Sequence, residues 1–391
     1  MLCSFTMPEV KTWDVIVIGG GIIGLALAIA LRKRGATVLV VERGEPGREA
    51  SHAAGGMLVD CPLETPPALQ QLATASARMY PEFARELEIE SGVKVDLRDY
   101  GTILFLKKEH LGHPQFSTLF HEVDLAAHEP NLGMPTYEKQ LDQKVVLNER
   151  DFDTSDEEFA EISRFPFQNA FHIRERSVDP RALTMAAFKT AKARGVDFSS
   201  GDAVTGVNLT DARATGVTTT KTSHLAAKVV NCAGCWSGQI SPIPLPTRPV
   251  KGQMLCLIRQ PRDLIKHVIR TPEVYLIPRS DGRLLVGATV EEAGFDKRTD
   301  PETIQRLHRA ALNLVPKLAD AKILEDWAGL RPGTTDGLPI LGATPISGYY
   351  VATGHFRDGI LLAPITAQVM ADVIEGRKPQ CDLTPFSCSR F

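Results

Sequence analysis

The sequence predicts an α/β fold: a doubly wound, Rossmann-like nucleotide-binding domain interleaved with a second domain built on an antiparallel sheet. Three observations carry this. A strand–helix–strand unit with a glycine-rich turn opens the chain at residues 14–42, a hairpin pattern of different character occupies residues 241–324, and a buried strand followed by an apolar helix closes it at residues 349–376.

Taken in order, residues 15–18 are a continuous apolar run, as a strand buried on both faces requires. Residues 22–33 then predict a helix whose Ala26, Ala28 and Ala30 allow close packing, and residues 37–41 the next strand. Residues 44–56, rich in Gly, Ala and Ser, read as a loop. A helical pattern follows from 66 to 91, with Arg78, Glu82, Arg85, Glu86 and Glu88 on a solvated face. Residues 100–166 are irregular, with a strand candidate at 102–106. Val178-Asp179-Pro180 starts a helix over 181–194 that Gly195 ends, before strands at 196–198 and 228–232. Residues 274–278 and 284–288 flank a Ser280-Asp281-Gly282 turn and form a hairpin, and 301–314 is a surface helix. The chain returns to the first domain near Trp327, makes a strand at 349–352, and ends in a helix with Pro364 in its first turn and Gly376 past its end.

A chain of 391 residues with 43% hydrophobic content buries a sizeable core, and a formal net charge of -3 provides no positive field for nucleic acid or an anionic membrane face. The apolar runs 15–18 and 22–31 are broken by glycines and closed by Arg32, Lys33 and Arg34, short of the roughly 20 residues that span a bilayer, so no stable membrane insertion is expected. Cysteines 3, 61, 232, 235, 256, 381 and 388 are odd in number and irregularly spaced, without a recognisable secretory leader; reduced thiols in a cytoplasm are the expectation. The first residues read as a frayed tail, in which Met7 is an alternative start. The histidines form no metal-ligand pattern, so no metal is expected.

The chemistry starts at Gly19, Gly21 and Gly24, a G-x-G-x-x-G turn between strand and helix that brings helix N-terminal amides against a pyrophosphate. Glu42, 18 residues after Gly24, ends the second strand, where a carboxylate accepts ribose hydroxyls and disfavours a 2′-phosphate. NAD and FAD remain. Residues 50–57 are small enough either to pass close to a flavin or to form a flexible surface loop. The segments 327–342 and 349–364 are ones a nicotinamide dehydrogenase has no reason to carry, and they favour a flavoprotein.

With GGGIIG at 19–24, SHAAGGML at 51–58, YLIPRSDGRLLVGAT at 275–289, WAGLRPGTTDGLPILG at 327–342 and GHFRDGILLAP at 354–364, the whole chain resembles the D-amino-acid oxidase family of flavoproteins, in particular its glycine-oxidase branch of the thiamine-pathway type. The resemblance implies a discontinuous FAD domain at 9–95, 171–240 and 325–386 and a substrate domain at 96–170 and 241–324. It implies non-covalent FAD held by Ile22 and Ile23 at the glycine turn, by Glu42 and Arg43 at the ribose, by Ala50 and Ser51 at the phosphates and by Gly55, Gly56 and Met57 along the isoalloxazine. The backbone of Val178 is expected at the adenine and Gly234 in a nucleotide-domain turn. His355, Phe356, Arg357, Asp358, Gly359, Ile360 and Leu361 are expected along the flavin's pyrimidine edge, where helix amides oppose the negative charge of the reduced ring.

Substrate is expected on Arg331, Tyr275 and Arg357, with no side chain required as a catalytic base. From the residues alone, Arg331 is equally a partner for Asp336 or Asp326, Tyr275 an ordinary strand aromatic, and Asp358 and Gly359 a helix cap. Glu273 and Val290 depart from the related pattern and leave the preferred substrate side chain open. Cys232 and Cys235 have redox-motif spacing but read as inert packing residues. The activity implied is oxidative deamination of glycine, sarcosine or small D-amino acids to 2-oxo acids, with hydride transfer to flavin N5 and reduction of O2 to H2O2, by a homo-oligomer (dimer or tetramer) with a role in thiamine synthesis. Rivals are a D-amino-acid dehydrogenase that reduces a quinone, a 2-hydroxy-acid oxidase of the same fold, and a flavin-binding protein without activity.

Overall fold

The structure, a computed structural model, describes residues 11–61, 65–106, 145–146, 169–258 and 264–391. Cys3, Met7 and most of the irregular stretch 100–166 lie outside the described residues.

Strand β1 (Thr12–Ile18) pairs in parallel with β2 (Val38–Glu42). Val15, Val17, Val38 and Val40 enter one core, whereas Ile16, Ile18, Leu39 and Val41 enter the core on the opposite face. Burial on both faces makes the run uniformly apolar. The first core is completed by helices α1 (Ile22–Lys33), α3 (Pro67–Ser91), α4 (Pro180–Ala193) and α7 (Gly359–Ile374). Strands β8 (Asp197–Ser200), β11 (Ser223–Asn231), β17 (Ile340–Ala343) and β18 (Tyr349–Thr353) extend the sheet in the order β17-β18-β11-β1-β2-β8. The pair β9 (Val204–Thr210) and β10 (Arg213–Thr219) joins it through β11 and helps cover the second face with Ala214 and Val217. Between β1 and α1 the chain turns so tightly that a Cβ on Gly24 would sit 2.0 Å from the carbonyl oxygen of Gly19.

The second sheet is the antiparallel one expected, with one parallel pair in it. Its order is β16 (Lys322–Gly333), β12 (Arg248–Ile258), β15 (Arg283–Gly287), β14 (Tyr275–Pro278), β13 (Val268–Arg270), β4 (Thr102–Leu106), β6 (Asn169–Ile173) and β5 (Val145–Val146). Helix α6 (Pro301–Leu314), capped by Asp300 accepting from Thr303 N at 2.9 Å, lays Ile304, Leu307, Ala311 and Leu314 on the outer face. Met254, Cys256, Ile277 and Leu285 alternate to the inner face.

Three expectations are corrected. Residues 50–53, read as loop, form the short helix α2 (Ala50–Ala53), because this stretch is pinned against β16 through Trp327 Nε1 donating to Ala53 O at 3.1 Å. The return to the first sheet comes after Gly333 and not near Trp327: β16 pairs with β12 as far as Arg248 opposite Gly333. Pro364 is the sixth residue of α7 and lies outside its first turn. A proline there leaves the Ile360 carbonyl without a helical donor. The Tyr80 hydroxyl of α3 donates to that oxygen at 2.5 Å, and Ser76 Oγ donates to Leu361 O at 2.6 Å while accepting from Ile365 N at 3.4 Å. Two side chains of α3 thus replace the bonds that the proline breaks.

Candidate active site

A cavity of about 750 Å³ is lined by residues of both sheets, from Glu42 and Arg43 at one end to Tyr275, Arg331 and Arg357 at the other. At the first end the glycine turn delivers Gly21 to the start of α1, which has no side-chain N-cap; the Ile22 amide donates to Ser51 Oγ at 3.0 Å. Glu42 is held by amides, accepting from Gly20 N at 2.8 Å and Gly44 N at 2.9 Å, so its carboxylate stands fixed at the wall. The Arg43 guanidinium stacks 3.5 Å from the centroid of the Trp236 ring and pairs with Glu49 at 2.5 Å. Lys297, from the other lobe, also reaches Glu49 at 3.1 Å.

At the second end, strand register brings together residues distant in sequence. Tyr275 is paired with Gly287, Gly287 with Met254, and Met254 with Trp327, so the four make one row across the inner face. Gly287 lets the tyrosine ring lie over the sheet, since a Cβ there would come 2.8 Å from the ring. Gly252 does the same for Arg331, whose guanidinium would be 2.2 Å from an added Cβ. Arg331 Nη1 donates to the carbonyls of Lys251 (3.2 Å) and Thr289 (3.0 Å), and no described carboxylate forms an ion pair with it. Asp336, the partner that the residues alone allowed, is taken by Arg390 at 2.7 Å. Burial first, and then the positive charge of Arg357, hold the Arg331 guanidinium below its usual pKa, and burial raises the Tyr275 phenol against the opposing pull of Arg331. A half-buried guanidinium without a carboxylate, facing a phenol, is a receptor for an anion with two oxygens.

Most residues expected at the site line this cavity: Gly19, Gly21, Ile22, Ile23, Glu42 and Arg43; Ala50, Ser51, Gly55, Gly56 and Met57; Gly234, and His355 to Ile360. Gly24, Val178 and Leu361 do not line it. Gly24 is spent on the contact between strand and helix, Val178 is fully buried with its amide donating to Gly56 O at 2.8 Å, and Leu361 points into the core beneath α7. His355 contributes at the wall, but its ring is buried and lies 3.1 Å from Thr366 Oγ1; burial pushes its pKa down to about 3, so it is neutral. Burial pushes the Cys232 and Cys235 thiols up to about 12, as packing residues behave.

Residues not foreseen also line the cavity, among them Ala203, Val204, Trp236, Gly252, Met254 and Arg270. Gly252 and Met254 share a face of β12, a two-residue spacing that signals a common side of a strand. Val290 and Glu273 line the cavity as well. Among the described residues no His, Cys, Asp and Glu cluster suits a metal, and no helix is long and apolar enough to cross a membrane.

An elongated dinucleotide fits this cavity: the start of a helix that has no N-cap side chain and a fixed carboxylate stand at one end, and a wall of small residues runs from Ala53 to Gly56 so close to β16 that a Cβ on Gly329 would meet Ala53 Cβ at 2.3 Å. Comparison with known proteins agrees with the geometry. The family model for FAD dependent oxidoreductases (DAO) matches residues 14–373. Glycine oxidase of Pseudomonas aeruginosa is 32% identical over 388 residues, covering 95% of this chain and 98% of its own length. The bifunctional protein ThiO/ThiG of Trichormus variabilis is 32% identical over 97% of this chain, which spans 55% of that longer protein. The crystal structure of glycine oxidase from Geobacillus kaustophilus superposes with a TM-score of 0.84 at 29% identity, covering 97% of this chain and 99% of that one. Its fold, its cavity and these relatives place the chain in the DAO family of FAD dependent oxidoreductases, as an enzyme of glycine oxidase type.

Proposed function

We propose that the protein oxidises glycine, sarcosine or a small D-amino acid to the 2-oxo acid, with release of ammonia or amine and reduction of O2 to H2O2. The observation that carries this reading is the Arg331 guanidinium, which has no carboxylate partner among the described residues and stands over Gly252 beside Tyr275. In it the substrate carboxylate takes two parallel bonds from Arg331 and one from the Tyr275 hydroxyl, while Arg357 adds positive charge. Bound FAD supplies the hydride acceptor and the route for electrons to oxygen. The chain itself fixes the carboxylate and so aims the Cα–H bond; a neutral substrate amine needs no dedicated base. Water then hydrolyses the released imino acid.

In the same reading FAD is held without a covalent bond. Its ribose lies at Glu42 and Arg43, its phosphates at the glycine turn, Ala50 and Ser51, and its ring along Gly55 to Met57, with the 355–360 segment at the pyrimidine edge. The cofactor and substrate lobes correspond to the two sheets. We place the enzyme in the cytoplasm as a homo-oligomer with a role in thiamine synthesis, for which sedimentation and complementation are the checks. The deciding experiment is anaerobic bleaching of the flavin against amino acids, N-alkyl glycines and 2-hydroxy acids, followed by admission of oxygen. Bleaching by glycine, sarcosine or D-alanine and peroxide on re-aeration are expected; bleaching by hydroxy acids alone, or no peroxide, rejects the proposal.

A further inference from the structure

Arg279 follows β14 and lies outside the cavity, yet it is buried to 2% exposure. Its Nη2 donates to the carbonyl oxygen of Gly55 at 2.5 Å, while Nε and Nη1 are buried with no hydrogen-bond partner among the described residues. The acids that feel its charge are engaged elsewhere. Asp179 accepts from Arg283 at 2.5 Å and caps α4 through Arg181 N and Ala182 N; Asp96 accepts from Ser280. A guanidinium confined in this way is costly, because its charge is desolvated with part of its donor set unmatched. Burial lowers its pKa to about 10, which still leaves it cationic at neutral pH.

The group that it touches bears on the cofactor. Gly55 and Gly56 both line the cavity. A trans peptide points its C=O and N–H in opposite directions. With the Gly55 carbonyl on Arg279, the Gly56 N–H faces away from it, and that N–H finds no protein acceptor among the described residues. A cation on the carbonyl strengthens the dipole of the peptide and makes its N–H a better donor.

We infer that Arg279 is a positioning residue for the flavin: it fixes and polarises the Gly55–Gly56 peptide, and its charge favours the reduced, negatively charged ring. This rests on the proposed placement of the ring along Gly55 to Met57. The test is the two-electron potential of bound FAD in the purified holoenzyme, measured by equilibration with a reference dye. In Arg279→Met the ratio of reduced to oxidised flavin at a given dye potential falls at least tenfold, about 30 mV for a two-electron couple. Arg279→Lys, which keeps the charge, falls less than threefold. Asp179→Asn keeps an N-capping side chain but removes the negative charge that faces Arg279, and shifts the ratio the opposite way by severalfold; it also serves as the readout should Arg279→Met not yield soluble holoenzyme. A purely structural arginine would lower the thermal stability of these variants without moving the potential, and that result overturns the inference. The dye titration needs no amino-acid substrate, so an unmoved potential beside normal bleaching by glycine sinks this inference alone, while a shifted potential without bleaching supports it and sinks only the proposed activity.

Discussion

Arg331→Leu is the perturbation that bears most directly on the proposed activity. The guanidinium makes its two hydrogen bonds to backbone carbonyls through Nη1 alone, to Lys251 O on β12 and to Thr289 O just after β15. Arg331 itself lines the cavity. Two charge-assisted bonds to a carboxylate are worth about 1.5–3 kcal/mol each. Arg357 and the Tyr275 hydroxyl remain and recover part of that, which leaves a loss of about 3–4 kcal/mol. At about 1.4 kcal/mol per decade, kcat/KM for glycine falls roughly 100- to 1000-fold. Flavin content stays unchanged, because neither acceptor of Arg331 is a residue assigned to hold FAD. Oxygen uptake gives the kinetic constants, anaerobic bleaching the substrate affinity, and visible absorbance the flavin occupancy. Arg331→Lys keeps a point charge without the planar fork and recovers part of the loss. A change below threefold in Arg331→Leu, or a loss of flavin in step with the loss of activity, refutes the clamp.

Gly24→Ala drives a Cβ to within 2.0 Å of Gly19 O, forcing α1 away from β1; titration of the apoprotein with FAD is expected to show binding weakened at least tenfold, and unchanged affinity contradicts the tight strand-to-helix turn. Tyr80→Phe leaves the buried Ile360 carbonyl without its donor and costs about 1–3 kcal/mol, read as a lower urea midpoint; an unmoved midpoint means that the hydroxyl adds nothing to α7. His355 titrates near 3 when folded and near 6.5 when unfolded, so the unfolded chain binds the extra proton first on acidification. Its contribution is therefore complete above about pH 6.5 and is lost toward pH 3, at up to about 1.4 kcal/mol per pH unit. His355→Gln should have a flatter stability profile than the wild type between pH 6 and 4, measured by urea unfolding; parallel profiles would place the imidazole in water.

The first sheet was legible because its information is local. The alternation of Val15 and Val17 with Ile16 and Ile18 between two cores needs only a run of apolar residues, and the G-x-G-x-x-G turn, α1 and Glu42 lie within 24 residues of one another, from Gly19 to Glu42. The short helix at 50–53 was not legible, since what fixes it is Trp327, more than 270 residues away. The position of Pro364 within α7 is hidden from the sequence for a related reason. In isolation a proline belongs in the first turn, and only the hydroxyls of Ser76 and Tyr80 from another helix make the second turn tolerable.

The end of the cavity at Tyr275 and Arg331 shows the limit most sharply. Tyr275 and Arg331 are implied only by the resemblance, and what brings their strands together is register: Tyr275, Gly287, Met254 and Trp327 line up across four strands and Arg331 lies opposite Val250, a relation between segments that no local window contains. The same register explains why two glycines matter more here than any single polar residue. Remove the space over Gly252 and the Arg331 guanidinium must leave the inner face; remove the space over Gly287 and the Tyr275 ring must tilt away. Hydrogen-bonded strands fix the Cα positions of both residues, and the two glycines leave the space that their side chains occupy. In the proposed reading a substrate as small as glycine presents little surface beyond its carboxylate and amine, which leaves selection among small amino acids to other residues of the cavity wall, where Val290 and Glu273 stand.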